Sequence, residues 1–176
     1  YHTKIQYAYA NSNVDFEELI QTFKSNQKQL FTEDQLNIVY AKMRQTLNNV
    51  TYKGEVINFK TLLNDILSEY NIDLNESMSF KSLYQLMKVV SISAFVSNDY
   101  LNTEEFLLET YKSIQKHKDK TKQLYYHIEV LYLIANTLFR NKKFHESMHY
   151  LNVMHQHMLM NRKKHYNTFK LKYNLL

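Results

Sequence analysis

The sequence contains no cysteine, no proline and no tryptophan, and its single glycine is Gly54. The absence of cysteine excludes disulfide bonds, thiolate zinc sites and cysteine nucleophiles, and it leaves the redox compartment undetermined. One glycine is too few for a glycine-rich phosphate loop or a G-x-S-x-G nucleophile elbow. An all-β fold would need many tight turns built on glycine and proline, whereas helices joined by polar loops need few. The composition therefore favours an all-α protein.

Two further scarcities are a lack of long apolar runs and, after residue 110, a lack of acidic residues. No run of eighteen apolar residues occurs, so no membrane span is predicted. Residues 111–176 contain 13 Lys and Arg against 3 Asp and Glu (+10), whereas residues 1–110 contain 9 against 14 (−5). We therefore expect an acidic partner to be attracted to the C-terminal part.

The strongest helical pattern lies between Thr121 and Leu159. Its first half, up to Arg140, carries apolar side chains on almost every side, which is typical of a buried helix. Its second half begins at Phe144 and repeats apolar residues at spacings of three and four, the pattern of a helix with one apolar face. Only residues 141–143 separate the halves, which predicts two antiparallel neighbours.

The same alternation precedes this pair. Ser79–Ser97 is predicted to be a second buried helix, and after a loop over Asn98–Asn102, Thr103 is predicted to cap an amphipathic helix. After Leu159, apolar residues at Tyr166, Phe169 and Tyr173 predict a last helix that ends within its pattern.

Residues 1–78 are predicted to form an N-terminal helical region with one or two further helix pairs. A first helix is expected after Asp15, and a second at the capping box that Thr32 and Gln35 resemble. A loop is expected over Asn48–Glu55, followed by a third helix between Val56 and Tyr70.

The better helix pair resembles a tetratricopeptide repeat in residue type and spacing. The residues that carry this resemblance are Leu131, Ile134, Ala135, Leu138, Phe144, Ser147 and Leu151. The small Ala135 and Ser147 fit a close approach of two helices. A less regular unit over residues 79–117 would place Ser91 at its small position, with Leu107, Tyr111 and Ile114 as packing residues.

The resemblance implies a right-handed α-α superhelix of seven or eight helices, stacked as antiparallel pairs. Each pair would close the apolar face of its neighbour, as in other α-solenoids. We accordingly divide the chain into residues 1–78 and a repeat region, residues 79–176, whose last repeat is expected to be truncated.

A candidate peptide groove lies on the first helix of the better pair, where Tyr132, Asn136, Phe139 and Arg140 share one face. In tetratricopeptide proteins the first helices line a concave groove. By this resemblance Asn136 would bind a peptide backbone, Arg140 an anion, and Tyr132 would form an apolar wall. The alternative is that Tyr132 and Phe139 are core residues and that Asn136 bonds a neighbouring helix.

A second candidate surface is a basic patch at one end of the stack, because two lysine-rich loops each join a second helix to the next first helix. Its members are Lys116, Lys118, Lys120, Lys122, Arg162, Lys163 and Lys164. Such a patch would attract phosphate or carboxylate in a salt-dependent way. The alternative is that these lysines simply keep the loops solvated.

Catalytic and metal sites have little support in the sequence. His145 and His149 share a helix face at i and i+4, yet no Asp or Glu completes that face, and zinc normally takes three or four protein ligands. Glu104, Glu105 and Glu109 are interpreted as helix-start charges on a solvated face. We therefore predict no enzyme activity and no metal or cofactor.

The predicted function is a non-catalytic scaffold whose concave face binds a protein or peptide, with an acidic partner favoured. The alternative is a sensor segment of a longer bacterial signalling or transcription-regulating protein. Direct binding of nucleic acid through the lysine loops is a third, less favoured possibility.

Overall fold

The computed structural model describes residue 6 and residues 15–53, 59–72, 78–116, 122–160 and 162–176. The helices in this part of the chain are α1 (Phe16–Lys53), α2 (Phe59–Glu69), α3 (Phe80–Ser97), α4 (Tyr100–Lys116), α5 (Leu124–Arg140), α6 (Phe144–Met160) and α7 (Asn167–Asn174), with a π-helical turn, Arg162–Tyr166, before α7. No strand occurs in the described residues, which confirms the prediction of an all-α protein. None of these helices is both long and apolar enough to span a bilayer.

Helix α1 differs from the sequence-based prediction of two helices in this region. It runs for 38 residues without interruption, and the predicted capping residue Thr32 lies inside it, where its hydroxyl donates to the carbonyl of Lys28. The helix also continues through Asn48, so the predicted loop over residues 48–55 is wrong up to Lys53. Gly54 and Val56 lie outside the described residues. Neither proline nor glycine occurs between Phe16 and Lys53, so this stretch contains neither of the two residue types that most strongly interrupt a helix.

Helices α3 and α4 form a pair joined by a two-residue link rather than the predicted five-residue loop. Ser79 caps α3 by accepting a hydrogen bond from the Ser82 backbone N–H. Asn98 adopts the left-handed conformation, with φ of 54°, which ends α3. The side chain of Asp99 then accepts from the Asn102 backbone N–H, so Asp99 takes the capping role that the sequence assigned to Thr103.

Helices α5 and α6 form the second pair, with the predicted three-residue link. The hydroxyl of Ser147 donates to the carbonyl of Ala135 at 2.8 Å, and both residues are buried. The expected close approach of these helices at two small residues is confirmed. Ser91, the proposed counterpart in the preceding unit, is half-buried and its hydroxyl bonds to Met87 within its own helix.

Two apolar clusters hold the helices together, and α3 contributes to both. The larger cluster joins α3 to α4, α5, α6 and α7; its fully buried members include Met87, Leu107, Ile114, Leu131, Ile134, Leu138, Met154, Met158 and Phe169. The smaller cluster joins α1 and α2 to the other side of α3; its members are Leu36, Val39, Met43, Ile66, Leu67, Met78, Leu86 and Val89. The packing roles of Leu107, Tyr111 and Ile114 are confirmed by their burial.

The odd-numbered helices adjoin one another. Helix α1 packs on α3, and α3 packs on α5, while the ring of Phe169 in α7 lies 5.1 Å from that of Tyr125 in α5. Helix α4 packs against both α3 and α5, and α6 packs against α5 and α7. Side chains of four successive odd-numbered helices therefore meet on a shared face.

Candidate functional site

A row of tyrosines crosses the face shared by the odd-numbered helices. Its members, the tyrosine row, are Tyr40 of α1, Tyr84 of α3, and Tyr126 and Tyr125 of α5. The rings of Tyr84 and Tyr126 are 5.0 Å apart, and those of Tyr125 and Tyr126 are 5.5 Å apart. Lys88 links α1 to α3, since its Nζ lies 4.6 Å from the centre of the Tyr40 ring and 5.8 Å from that of Tyr84. Sequence analysis missed this row because its members come from three separate helices.

The ionisation of the row follows from its surroundings. Burial, followed by the charge of Glu129, raises the pKa of Tyr84. Burial also raises the pKa of Tyr125, again with a smaller contribution from Glu129. Both hydroxyls therefore stay protonated and neutral at ordinary pH.

Tyr132, the first residue of the predicted groove, lies beside the C-terminal helix. The Nζ of Lys172 in α7 is 5.3 Å from the centre of the Tyr132 ring and forms an ion pair with Glu129, with N–O distances of 2.6 and 2.8 Å. Tyr132 is half-buried. It packs against the larger apolar cluster, as the alternative interpretation of this residue expected.

Asn136 and Arg140 follow Tyr132 along the same side of α5. They lie one and two helical turns further, about 6 and 12 Å along the helix axis. Asn136 is half-buried and Arg140 is exposed. Within the described residues neither side chain makes a hydrogen bond or ion pair, whereas the adjoining Asn141 makes two hydrogen bonds.

Phe139 is on the surface, against the expectation of the alternative interpretation that it is a core residue. It is 39 % exposed, and its ring meets that of Phe144 at a centroid distance of 5.5 Å. Phe144 and Met148 are themselves 56 % and 53 % exposed. These three residues, here called the apolar shelf, lie at the end of α5 and in the first turns of α6, and Phe139 directly precedes Arg140 in the chain.

The α5–α6 turn is held in place by Glu104 of α4. One carboxylate oxygen accepts from Asn141 Nδ2 at 2.7 Å, and the other pairs with Lys143 Nζ at 2.6 Å. This hydrogen bond raises the pKa of Lys143. Glu104 is only 9 % exposed, so its assignment to a solvated acidic face is wrong; Glu105 and Glu109 are exposed as expected. Glu104 thereby fixes the position of the residues beside Arg140.

The predicted basic patch is described only in part. Lys116, Lys122 and Lys164 are exposed. Lys118 and Lys120 lie outside the described residues, and the backbone of Arg162 and Lys163 begins the π-helical turn. The meeting of the two loops in one patch stays a prediction.

The histidines and acidic residues that the structure describes are not grouped as in a metal site. His145 and His149 are exposed on α6, as expected for a solvated face. Within the described residues no group of three or more His, Asp and Glu side chains is placed to hold a metal. His165 is buried in the π-helical turn, and burial, with a smaller effect of the Lys164 charge, lowers its pKa.

A cavity of about 450 Å³ lies between α1 and the residues on either side of the α2–α3 connection. It is lined by α1 residues such as Gln35, by Tyr70 and Ile72 at the end of α2, and by Met78 and Ser79. None of the sequence-predicted site residues contributes to it. Residues 73–77, which connect two parts of its lining, lie outside the described residues.

Comparison with known proteins adds no assignment. No protein-family model matches the chain, and neither a curated protein nor a solved structure matches it.

Proposed function

We infer that the chain is a non-catalytic module that binds a protein or peptide segment on the face shared by its odd-numbered helices. The stacking of helix pairs α3–α4 and α5–α6 supports a repeat-like architecture of the tetratricopeptide type. In such an architecture the first helix of each pair contributes to one continuous surface. The tyrosine row, Asn136 and Arg140 lie on helices of that layer.

The observation that carries this proposal is the unused bonding capacity of Asn136 and Arg140. An asparagine amide offers two N–H donors and a carbonyl acceptor, which matches the donor and acceptor of an extended peptide backbone. An arginine offers a fork of donors suited to a carboxylate. The nearby polar side chains Asn141, Lys143 and Glu129 are already bonded within the protein.

The apolar shelf completes the binding surface. Exposed Phe139, Phe144 and Met148 offer an apolar surface, and Phe139 precedes Arg140 directly in the chain. Aromatic side chains and arginine are the residue types most often found at the energetic centre of interfaces. The bound segment is therefore a short one with an apolar side chain beside an acidic one. No contact within the described residues favours the regulatory-segment or the nucleic-acid alternative over this one.

Selection from a displayed random-peptide library tests the proposal. We expect enriched peptides to contain an Asp or Glu next to a large apolar residue, and their binding to weaken at high salt. Arg140→Glu should reduce binding at least about tenfold, a loss of about 1.4 kcal/mol, and Asn136→Ala should weaken it as well. Arg44→Glu and Asn152→Ala are matched controls, since both residues are exposed on other helices.

Two results would contradict the proposal. One is a selection that enriches no peptide sequence. The other is a set of enriched peptides that bind the Arg140→Glu and Arg44→Glu variants equally well.

A further inference from the structure

Helix α6 carries an unusual set of side chains that neither the fold nor the proposed binding face uses fully. Its 17 residues include four of the eight histidines and four of the seven methionines of the chain. Five methionines have a packing role and are at most 8 % exposed; these are Met43, Met78, Met87, Met154 and Met158. The remaining two, Met148 and Met160, are 53 % and 70 % exposed. Their thioethers therefore face solvent.

Each exposed methionine follows a histidine by three residues on this helix. Met148 follows His145, and Met160 follows His157. Residues at i and i+3 are neighbours on a helix surface. The spacing therefore places each exposed methionine one turn after a histidine on the same helix face, as it also does for the buried Met158 after His155.

The pair near the C-terminus of α6 shows what this spacing produces. His157 Nδ1 and Met160 Sδ are 3.5 Å apart. For metal–nitrogen and metal–sulfur bonds of about 2.0 and 2.3 Å, this separation corresponds to an angle at the metal of about 110°. The spacing therefore brings one nitrogen and one sulfur to a distance that a single ion can bridge.

The first turns of α6 add a third donor. His145, Met148 and His149 are all exposed, and they occupy positions i, i+3 and i+4 of one helix face. Two imidazole nitrogens and a thioether sulfur form a soft ligand set without a carboxylate. Thioethers select Cu(I) over zinc, magnesium or calcium, which take thiolate, imidazole or oxygen ligands.

We propose that α6 binds a monovalent soft metal ion, Cu(I), through His145, Met148 and His149, with His157 and Met160 as a weaker second pair. The N-terminal end of a helix disfavours cations, so a singly charged ion is less disfavoured at the first position than a doubly charged one. Glu146, in the same turn, attracts a cation. The second pair has fewer ligands but lies at the C-terminal end, where the helix dipole favours a cation. Met148 also belongs to the apolar shelf of the peptide-binding proposal, but the metal site does not require that proposal to hold.

Competition with a chromogenic chelator tests the metal site. The full chain is titrated into Cu(I)–bicinchoninate, and withdrawal of the metal is followed by loss of colour. We expect Met148→Leu, which keeps the apolar volume but removes the sulfur, to weaken Cu(I) binding by at least about tenfold. Met160→Leu should have a smaller effect. Met154→Leu is the matched control, since it makes the same change at a buried position of the same helix.

A titration with Ag(I), monitored through the ¹³C-methyl signals of the methionines, gives a readout that needs no variant. The signals of Met148 and Met160 should shift, and those of the five buried methionines should not. The proposal is overturned if the wild-type chain withdraws no Cu(I), if Met148→Leu binds as the wild type does, or if Ag(I) leaves the Met148 signal unchanged. A Zn²⁺ titration that depends on Met148 as strongly as Cu(I) does would also contradict the assignment to a soft ion.

Discussion

Helices α1 and α5 are both regular, but they are held in place very differently. Helix α1 has 38 residues, and the buried apolar side chains described along it are Leu36, Val39 and Met43, all in its second half. Helix α5 has 17 residues, of which nine are buried. The length of a helix is therefore a poor guide to its contribution to the core. In this protein the shorter helix is the one on which four others pack.

The largest expected effect comes from equal truncations in these two helices. Leu131 of α5 and Leu36 of α1 are both fully buried. Leu131→Ala should lower the free energy of unfolding by about 3–5 kcal/mol, because the packed neighbours of α5 cannot close the cavity. Leu36→Ala should cost about 2–3 kcal/mol, near the lower end of the measured range, because fewer of the described helices, α2 and α3, pack around it. Urea denaturation measures both values.

The exposed Leu159, 48 % accessible on α6, provides the control for this pair. Leu159→Ala should change the free energy of unfolding by less than about 0.5 kcal/mol. Equal losses for Leu131→Ala and Leu36→Ala would show that both helices are equally constrained, and the contrast between them would fail.

Two glutamates sharpen the comparison, since each bonds one region to the next; Glu33 is half-buried and Glu104 is buried. Glu33 of α1 accepts from Ser79 at 2.7 Å and from Lys81 at 2.8 Å, at the start of α3. Glu104 of α4 binds the α5–α6 turn through Asn141. Either Glu→Ala change should cost about 1.5–3 kcal/mol, the usual contribution of hydrogen bonds to a charged group. The exposed lysine partners should add little, because solvent screens their charges.

The location of the change should distinguish the two variants. In hydrogen exchange, Glu33→Ala should increase exchange mainly in α1, and Glu104→Ala mainly in α5 and α6. Glu105→Ala is the control, because Glu105 is exposed beside Glu104 and should cost less than about 0.5 kcal/mol. Faster exchange throughout the chain in both variants would show that the two regions unfold as one unit.

The sequence predicted the second helix pair well, because its pattern depends on residues close together in the chain. The link 141–143, the burial of Leu131 and the contact of Ala135 with Ser147 all follow from helical spacing. The helix limits at Thr32 and Thr103 were wrong for a local reason. A hydroxyl residue caps a helix only where the preceding backbone stops, and inside a helix it bonds to the carbonyl four residues earlier. Both threonines do so, Thr32 to Lys28 and Thr103 to Asp99.

Contacts between distant helices could not be predicted in this way. The tyrosine row depends on the rotation of three helices about their axes, and no spacing within one helix encodes it. The role of Glu104 likewise requires a turn that lies 37 residues later in the chain. Helical spacing places the candidate binding residues Asn136 and Arg140 on one face of α5, and their roles in binding a peptide stay a prediction that rests on a family resemblance.

The smallest expected effect is a pH dependence confined to the C-terminal region. His165 is 5 % exposed, and its Nδ1 has no hydrogen-bond partner within the described residues. Burial lowers the pKa of His165 below the ordinary value of 6.5. The unfolded chain therefore binds a proton more readily than the folded one, and this histidine destabilises the fold progressively as pH falls below about 6.5. Above that pH both states are neutral at this position and the effect is absent.

The variant His165→Leu should isolate this contribution from those of the other histidines. The loss of unfolding free energy between pH 7.5 and pH 5.5 should be smaller in the variant than in the wild type, as measured by urea denaturation at each pH. Hydrogen exchange should place the difference in α6 and α7, whereas α1 should show the same pH response in both proteins. Only a group whose pKa differs between the folded and unfolded states can make stability depend on pH. If the variant loses as much stability as the wild type over this interval, the proton uptake on unfolding therefore occurs at other groups, and the burial of His165 does not contribute to it.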